Sequence, residues 1–286
     1  IHSGDSACSL PAFSLPPNTI DEIKNQTIAL AKELNVIGLI NIQFAVQNGE
    51  VYIIEVNPRA SRTIPFVSKT IGVPLAKIAA RIMAGKTLKE IGFTQEIKPV
   101  HIAVKESVFP FNKFTEVDVL LGPEMKSTGE VMGIDKTFGR AFAKSQLATG
   151  IKLPKQGTTF ISVKDSDKPK SVKIAQGLQD MGYQIVATKG TADYLKLNGI
   201  DAELIKKVKD GSPHCVEAIE SGRIDIVINT TFGEQAIEDS FTIRRSSLNK
   251  NLPYCTTIAG ASALLGGLKS IKEEDLSITT IQEYNK

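Results

Sequence analysis

Apolar residues at Ile20, Ile23, Ile28, Ala31 and Leu34 recur at helical spacing, and Thr19-Ile20-Asp21-Glu22 has the form of a capping box. They predict a helix that opens at Thr19 and stops at Asn35. Two strand-like runs follow, 39–46 and 51–57, separated by Gln47-Asn48-Gly49-Glu50, a hairpin signal. Pro58 has no N–H to give a ladder and ends the second run. A helix over 74–84 closed by Gly85, a strand over 100–108 and a helix over 137–148 closed by Gly150 complete this part. Beyond Gly150, short apolar runs at 160–163, 184–187, 202–205, 224–228 and 253–258 read as strands. Helical patterns at 171–181, 191–197, 215–220 and 236–248 lie between them, and a last helix starts at Gly260. Alternation of this kind predicts a doubly wound parallel sheet.

The chain has 286 residues, which at about 150 per domain predicts two domains. A linker at 150–157, carrying Lys152, Pro154 and Lys155, places the boundary between 1–150 and 151–286. Lys+Arg total 34 against 31 Asp+Glu, too even a balance for nucleic-acid binding by field alone. Apolar runs are short and interrupted, which argues against a membrane partner. The three cysteines, Cys8, Cys215 and Cys255, are scattered, so reduced thiols and a cytoplasmic location are expected. The chain opens at Ile1 with neither an initiator Met nor a signal peptide, as a piece of a larger protein would.

Glu55 and Asn57 are two apart on a strand and project to one face, with Arg59 and Arg62 just beyond. A carboxylate and an amide at a strand end, followed by arginines, suit a hard divalent ion that bridges phosphates. The same pair could instead simply cap the turn at Pro58. The hairpin register bears on the choice. A two-residue Asn48-Gly49 turn pairs Gln47 with Glu50 and sets Gln43 and Glu55 on opposite faces. A three-residue loop pairs Val46 with Glu50 and gathers Gln43, Ile53 and Glu55 on one face. A metal shared by Gln43 and Glu55 therefore predicts the odd loop, with a bulge at Gly49; a clean two-residue turn would sink the shared-metal reading. Gly85-Lys86-Thr87 is not a P-loop, because the earlier glycine the motif requires falls on Ala80.

In the second half, ligands of an open parallel sheet bind outside the carboxyl ends of the strands. Those ends carry Asp165-Ser166-Asp167-Lys168, Thr188-Lys189-Gly190-Thr191, Lys206-Lys207, Asn229-Thr230-Thr231 and Cys255-Thr256-Thr257. Hydroxyls, one amide and several lysines around one rim suit a phosphorylated ligand, although each residue singly could be a cap or a solvated side chain. A lyase that eliminates phosphate is the alternative. Its candidates are weak: Asp225 starts a strand at the wrong end, Asp239 precedes Arg244 and Arg245 as an ion-pair partner would, and His214 has no acid beside it.

Several strings carry a resemblance. They are His2-Ser-Gly-Asp5-Ser6, Asn41-Ile-Gln43-Phe-Ala, Ile54-Glu55-Val-Asn57-Pro-Arg59-Ala-Ser-Arg62-Thr, Lys69-Thr-Ile-Gly-Val-Pro74, Phe109-Pro-Phe and Leu121-Gly-Pro-Glu. The first half so resembles the end of the second ATP-grasp domain in the carbamoyl phosphate synthetase large subunit. The second half, by Thr188-Lys-Gly-Thr191-Ala and Ile228-Asn229-Thr-Thr231, is similar to that family's methylglyoxal synthase-like regulatory domain. The resemblance implies an α/β chain: an α+β ATP-grasp portion and then a doubly wound parallel sheet.

It further implies a ligase that phosphorylates carbamate with ATP, making carbamoyl phosphate for pyrimidine and arginine biosynthesis. Gln43, Glu55 and Asn57 would hold Mg²⁺ or Mn²⁺, two ions with ATP. Arg59 and Arg62 would be catalytic, His2 would lie at the ATP phosphates and Ser6 near K⁺. UMP and IMP, as effectors, would be lined by Lys168, Thr188, Thr191, Lys207, Asn229 and Thr231. Ornithine would meet Asp5, Glu106, Tyr254 and Thr256. A glutaminase small subunit would be a partner through the full-length subunit. The adenine-binding part of such a site lies upstream of Ile1, so the chain alone is expected to be inactive.

Overall fold

The computed structural model describes residues 1–113, 119–231, 233 and 240–286. Among them the strands are β1 (Cys8–Leu10), β2 (Asn41–Gln47), β3 (Glu50–Asn57), β4 (Ile102–Val108), β5 (Gly129–Asp135), β6 (Thr158–Ser162), β7 (Gln184–Ala187), β8 (Glu203–Leu204), β9 (Ile226–Asn229) and β10 (Tyr254–Cys255). The helices are α1 (Pro17–Glu33), α2 (Ile64–Ile71), α3 (Leu75–Met83), α4 (Leu88–Ile91), α5 (Phe138–Ala148), α6 (Lys168–Asp180), α7 (Lys189–Leu197), α8 (Cys215–Glu220), α9 (Phe241–Asn249), α10 (Ile258–Glu273) and α11 (Ile281–Tyr284). The expected helix start at Ala236 and the candidate Asp239 lie outside the described residues.

Two compact units divide the chain, and they do not follow chain order. One comprises Ile1–Cys8 with Val104–Ser277, the other Ser9–Ala103 with Ile278–Lys286. The expected boundary at Gly150 precedes β6, where the parallel sheet begins, but the segment before it goes with the sheet. The reason is α5, which packs on both β5 and α10. Its contact with α10 depends on small residues: a Cβ on Gly139 would fall 2.6 Å from the Gly266 carbonyl oxygen.

In the smaller unit, α1 starts two residues before the expected point. Pro17 occupies its first turn, where a missing N–H costs nothing, and Thr19 is buried inside the helix instead of capping it. β2 and β3 form an antiparallel hairpin. α2 carries Pro65 in its first turn and stops at left-handed Gly72. Asn285, from the segment carrying α11, donates to the Lys69 carbonyl at 2.9 Å. A Cβ on Gly72 would meet the Asn285 side chain at 2.8 Å, so Gly72 both ends α2 and admits that segment.

In the larger unit, β4 from Val104 onward lies beside β5. The five-stranded sheet has the order β10-β9-β6-β7-β8, every pair parallel. Phe160, Ile161, Ile226, Val227 and Ile228 are almost fully buried, as expected for central parallel strands covered on both faces. Chain order runs outward from β6 in one direction and then, through β9, in the other. The switch point therefore lies between the carboxyl ends of β6 and β9. No helix among the described residues is long and apolar enough to cross a membrane.

Candidate functional sites

The hairpin turn contradicts the register expectation. Gln47 pairs with Glu50 across a two-residue turn in which Asn48 (φ 53°) and Gly49 (φ 86°) are both left-handed. Left uninterrupted, that ladder would put Gln43 and Glu55 on opposite faces. The register shifts further along: Phe44 pairs with Ile53 and Gln43 with Glu55, so Ile54 is the extra residue of a bulge. The bulge brings Gln43 and Glu55 to one face after all, and it leaves Ile53 with Phe44 on the other, not beside Glu55 as expected. The turn-based objection presumed an unbroken ladder.

The Glu55 carboxylate receives both neighbouring amides on one oxygen. Gln43 Nε2 donates to Oε1 at 2.7 Å and Asn57 Nδ2 donates to the same atom at 2.8 Å. A carboxylate with two side-chain amides bonded to it carries the oxygen donor types that a hard cation shares with phosphates, although here the amide nitrogens face the carboxylate. Arg59 and Arg62 are both exposed beyond β3, and Arg59 Nη1 bonds the Ala60 carbonyl at 3.0 Å. Among the described residues no three His, Cys, Asp or Glu side chains gather as a metal cluster would require, and this set has a single carboxylate.

The amino-terminal turn of the larger unit is fixed by His2 and Asp5. His2 Nδ1 accepts from Gly4 N–H at 2.9 Å, and Ser6 Oγ reaches the His2 carbonyl at 3.5 Å. Asp5 is buried, and its two oxygens accept from the backbone N–H groups of Lys126 (2.8 Å) and Ser127 (2.9 Å). Burial pushes its carboxyl up, but those donors outweigh it and hold the group below the usual range. Asp5 is thus engaged in anchoring the 126–127 segment. Glu106, half-buried on β4, accepts from Gln146 Nε2 at 2.7 Å, and burial raises its carboxyl despite that bond. Burial, then the charge of Glu106, pushes the Cys255 thiol up to about 12. Tyr254 Oη accepts from Asn229 Nδ2 at 3.4 Å.

At the switch point two cavities open. The larger, about 900 Å³, is bordered by Ser162–Ser166, Lys207–Lys209, Asn229–Thr231, Ser240, Thr242 and Ile243. The smaller, about 280 Å³, is bordered by Ser162, Lys168, Thr188–Thr191, Lys207 and Asp210, among others. All six residues expected around a phosphorylated ligand line one or the other. Side-chain hydroxyls tie the loops together: Thr191 Oγ1 accepts from Val163 N–H at 3.2 Å, and Thr230 Oγ1 accepts from Lys164 N–H at 3.1 Å.

Thr188 stands at the N-cap of α7 without capping it; its hydroxyl turns to Ser162 Oγ at 3.0 Å instead. Thr191 N–H bonds the Thr188 carbonyl, but Lys189 and Gly190 begin the helix facing the smaller cavity. The first N–H groups of a helix have no intrahelical acceptor, and they attract anions. Ser162 lines both cavities, yet nothing in its sequence setting marks it: it is a serine ending an apolar strand. Two of the three lyase candidates, Asp225 and His214, have structural duties. Asp225 Oδ2 accepts from Thr158 N–H at 2.8 Å near the amino end of the sheet, and His214 caps α8 through Glu217 N–H at 3.3 Å.

Comparison with known proteins finds two families in the chain. Residues 1–91 match "Carbamoyl-phosphate synthase L chain, ATP binding domain" and residues 170–256 match "MGS-like domain". The carbamoyl phosphate synthase large chain of Myxococcus xanthus (strain DK1622) is 57% identical over 284 residues, 99% of this chain and 26% of that protein. That of Nostoc sp. (strain PCC 7120) is 54% identical over 289 residues, again 99% and 26%. The chain thus spans about a quarter of the length of the curated relatives it matches. Among solved structures, the biotin carboxylase domain of a single-chain bacterial carboxylase overlays 50% of this chain and 39% of its own, at 20% identity and a TM-score of 0.40.

Proposed function

The chain belongs to the carbamoyl phosphate synthase large-chain family, and on that premise we propose that it joins part of a carbamate-phosphorylating ATP site to a nucleotide-sensing domain. The uncapped start of α7, flanked in one cavity by Lys168, Thr188 and Lys207, is the observation that carries the sensing role. A nucleoside monophosphate such as UMP or IMP would set its phosphate there. Its nucleoside would enter the larger cavity, beside Asn229 and Thr231. Two cavities that share Ser162, Asp165, Lys207 and Lys209 suit a ligand with one charged end and one bulkier end.

In the smaller unit, the donor set of Gln43, Glu55 and Asn57 fits Mg²⁺ or Mn²⁺ carried in with ATP. Rotation of either amide would turn its oxygen outward beside the carboxylate. Such an ion, when bound, would neutralise charge on a transferring phosphoryl group. Arg59 and Arg62, beyond the strand end, would hold the same anionic centre. His2, with Nδ1 engaged by Gly4, keeps Nε2 for a phosphate oxygen. K⁺ near Ser6 is part of the same proposal, as are a glutaminase small subunit, a cytoplasmic location and service to pyrimidine and arginine biosynthesis. Ornithine would be met by Glu106, Tyr254 and Thr256, with Asp5 holding the adjoining backbone rather than offering an oxygen.

Calorimetric titration of the chain with UMP, then IMP, tests the sensing role. Lys207→Ala and Thr188→Val should each weaken binding about tenfold, the scale of a lost hydrogen bond to a charged group. A folded chain that binds neither nucleotide would remove the sensing domain from the proposal. The metal role is tested in the full-length subunit. Glu55→Gln should depress carbamate-dependent ATP consumption and raise the Mn²⁺ concentration needed for half-activity; an unchanged Mn²⁺ dependence would refute it.

A further inference from the structure

Lys168 is the cation most deeply set in the smaller cavity; its side chain is 19% exposed. Its Nζ lies over the start of α7, where a Cβ on Gly190 would come within 3.3 Å of it. A lysine in that position needs a counter-charge, and the structure supplies an unusual one. Asp165 Oδ1 sits 2.8 Å from Nζ, yet the Asp165 side chain is 95% exposed. Asp165 stands at the head of a single 3₁₀ turn, Asp165–Asp167, and lines both cavities. It can leave the ammonium by rotating into water, at little cost in desolvation.

We propose that Asp165 is a built-in competitor for the anion site, holding Lys168 until a phosphate ester displaces it and so setting the ligand concentration at which the domain responds. The inference rests on the nucleotide assignment for these cavities and adds to it a residue that touches Lys168 rather than the ligand. The charge arithmetic supports it. A phosphate monoester brings up to two negative charges against one, and it also reaches the N–H groups of α7, which the short Asp165 side chain leaves unused. The carboxylate would then face the ligand as a repulsive neighbour unless it swings outward. Both effects tax binding, and both vanish when the carboxylate becomes an amide.

The neighbouring carboxylate serves as a control. Asp167 pairs with Lys164 at 3.9 Å and borders neither cavity. In calorimetric titration of the chain with UMP, Asp165→Asn should tighten binding about three- to fivefold at low ionic strength, with the gain shrinking as salt is raised. Asp165→Glu should return the affinity towards that of the unaltered chain, and Asp167→Asn should change it less than twofold. Equal gains from the two Asn substitutions would reduce the effect to net charge and overturn the proposal. So would an Asp165→Asn chain that binds no more tightly while the unaltered chain binds normally, and in that case the nucleotide assignment would survive. Absence of binding in every folded variant would overturn both.

Discussion

Replacing Thr191 by valine isolates one hydrogen bond at the centre of the sensing site. Thr191 is 2% exposed, and its hydroxyl accepts from the N–H of Val163, itself 8% exposed. Valine keeps the shape of threonine, so no cavity forms; what is lost is the hydroxyl that accepts from a buried donor. A net hydrogen bond is worth about 1 kcal/mol, and a donor stranded away from water costs about 1–3 kcal/mol, so a loss of about 1–3 kcal/mol is expected. Serine keeps the hydroxyl and drops a methyl group, at a cost of about 1 kcal/mol. The local signature should separate the two variants more sharply than global stability does. With two compact units in the chain, a single unfolding transition is not assured, so hydrogen exchange resolved to residues 158–165 is the suitable assay. Thr191→Val should accelerate exchange at Val163 strongly, and Thr191→Ser should leave it close to the unaltered rate. Unchanged protection at Val163 in the valine variant, with unfolding free energy altered by less than about 0.5 kcal/mol, would refute the reasoning.

Glu106 offers a pH test. Its folded-state pKa is raised, so the native chain holds this proton more readily than the unfolded chain does. Its contribution is therefore greatest below the ordinary glutamate value and declines as pH rises from there through the raised value. Glu106→Gln should gain stability relative to the unaltered chain as pH rises from the ordinary glutamate value through the raised one, and a flat difference in urea unfolding over that rise would contradict the shift. Gly139→Ala should cost about 1–3 kcal/mol by forcing a methyl group against the Gly266 carbonyl, and a variant as stable as the parent would show that α5 and α10 can part without penalty.

The parallel sheet was largely legible in the sequence because fully buried strands read as short apolar runs between amphipathic helices. β7 and α8 fall where the pattern put them, and β8 is shorter, Glu203–Leu204, because an edge strand needs less pairing. The smaller unit was harder to read. α2, α4 and α11 gave no signal strong enough to be expected, since short elements carry little periodicity, and β5 in the larger unit went unmarked as well. The start of α1 was misplaced because a proline at the first helical position competes with a capping threonine two residues on. At the hairpin, Asn48-Gly49 favoured its two-residue turn on purely local grounds. The compensating bulge at Ile54 has no sequence mark, since bulged and regular apolar strand residues look alike. The rim of the sensing site was visible as residue types at strand ends. That Thr188 bonds Ser162 instead of capping α7 depends on the approach of two loops remote in sequence.

A nucleotide phosphate is proposed to sit at the start of α7, by the carboxyl ends of β6, β7 and β9. Amide chemical-shift mapping of the chain titrated with UMP tests it most directly. The backbone amides of Lys164, Gly190, Thr191 and Thr230 should shift in saturable fashion, while those of β2 and β3 stay in place. Shifts confined to the hairpin, or a folded chain whose α7 amides do not respond, would contradict it.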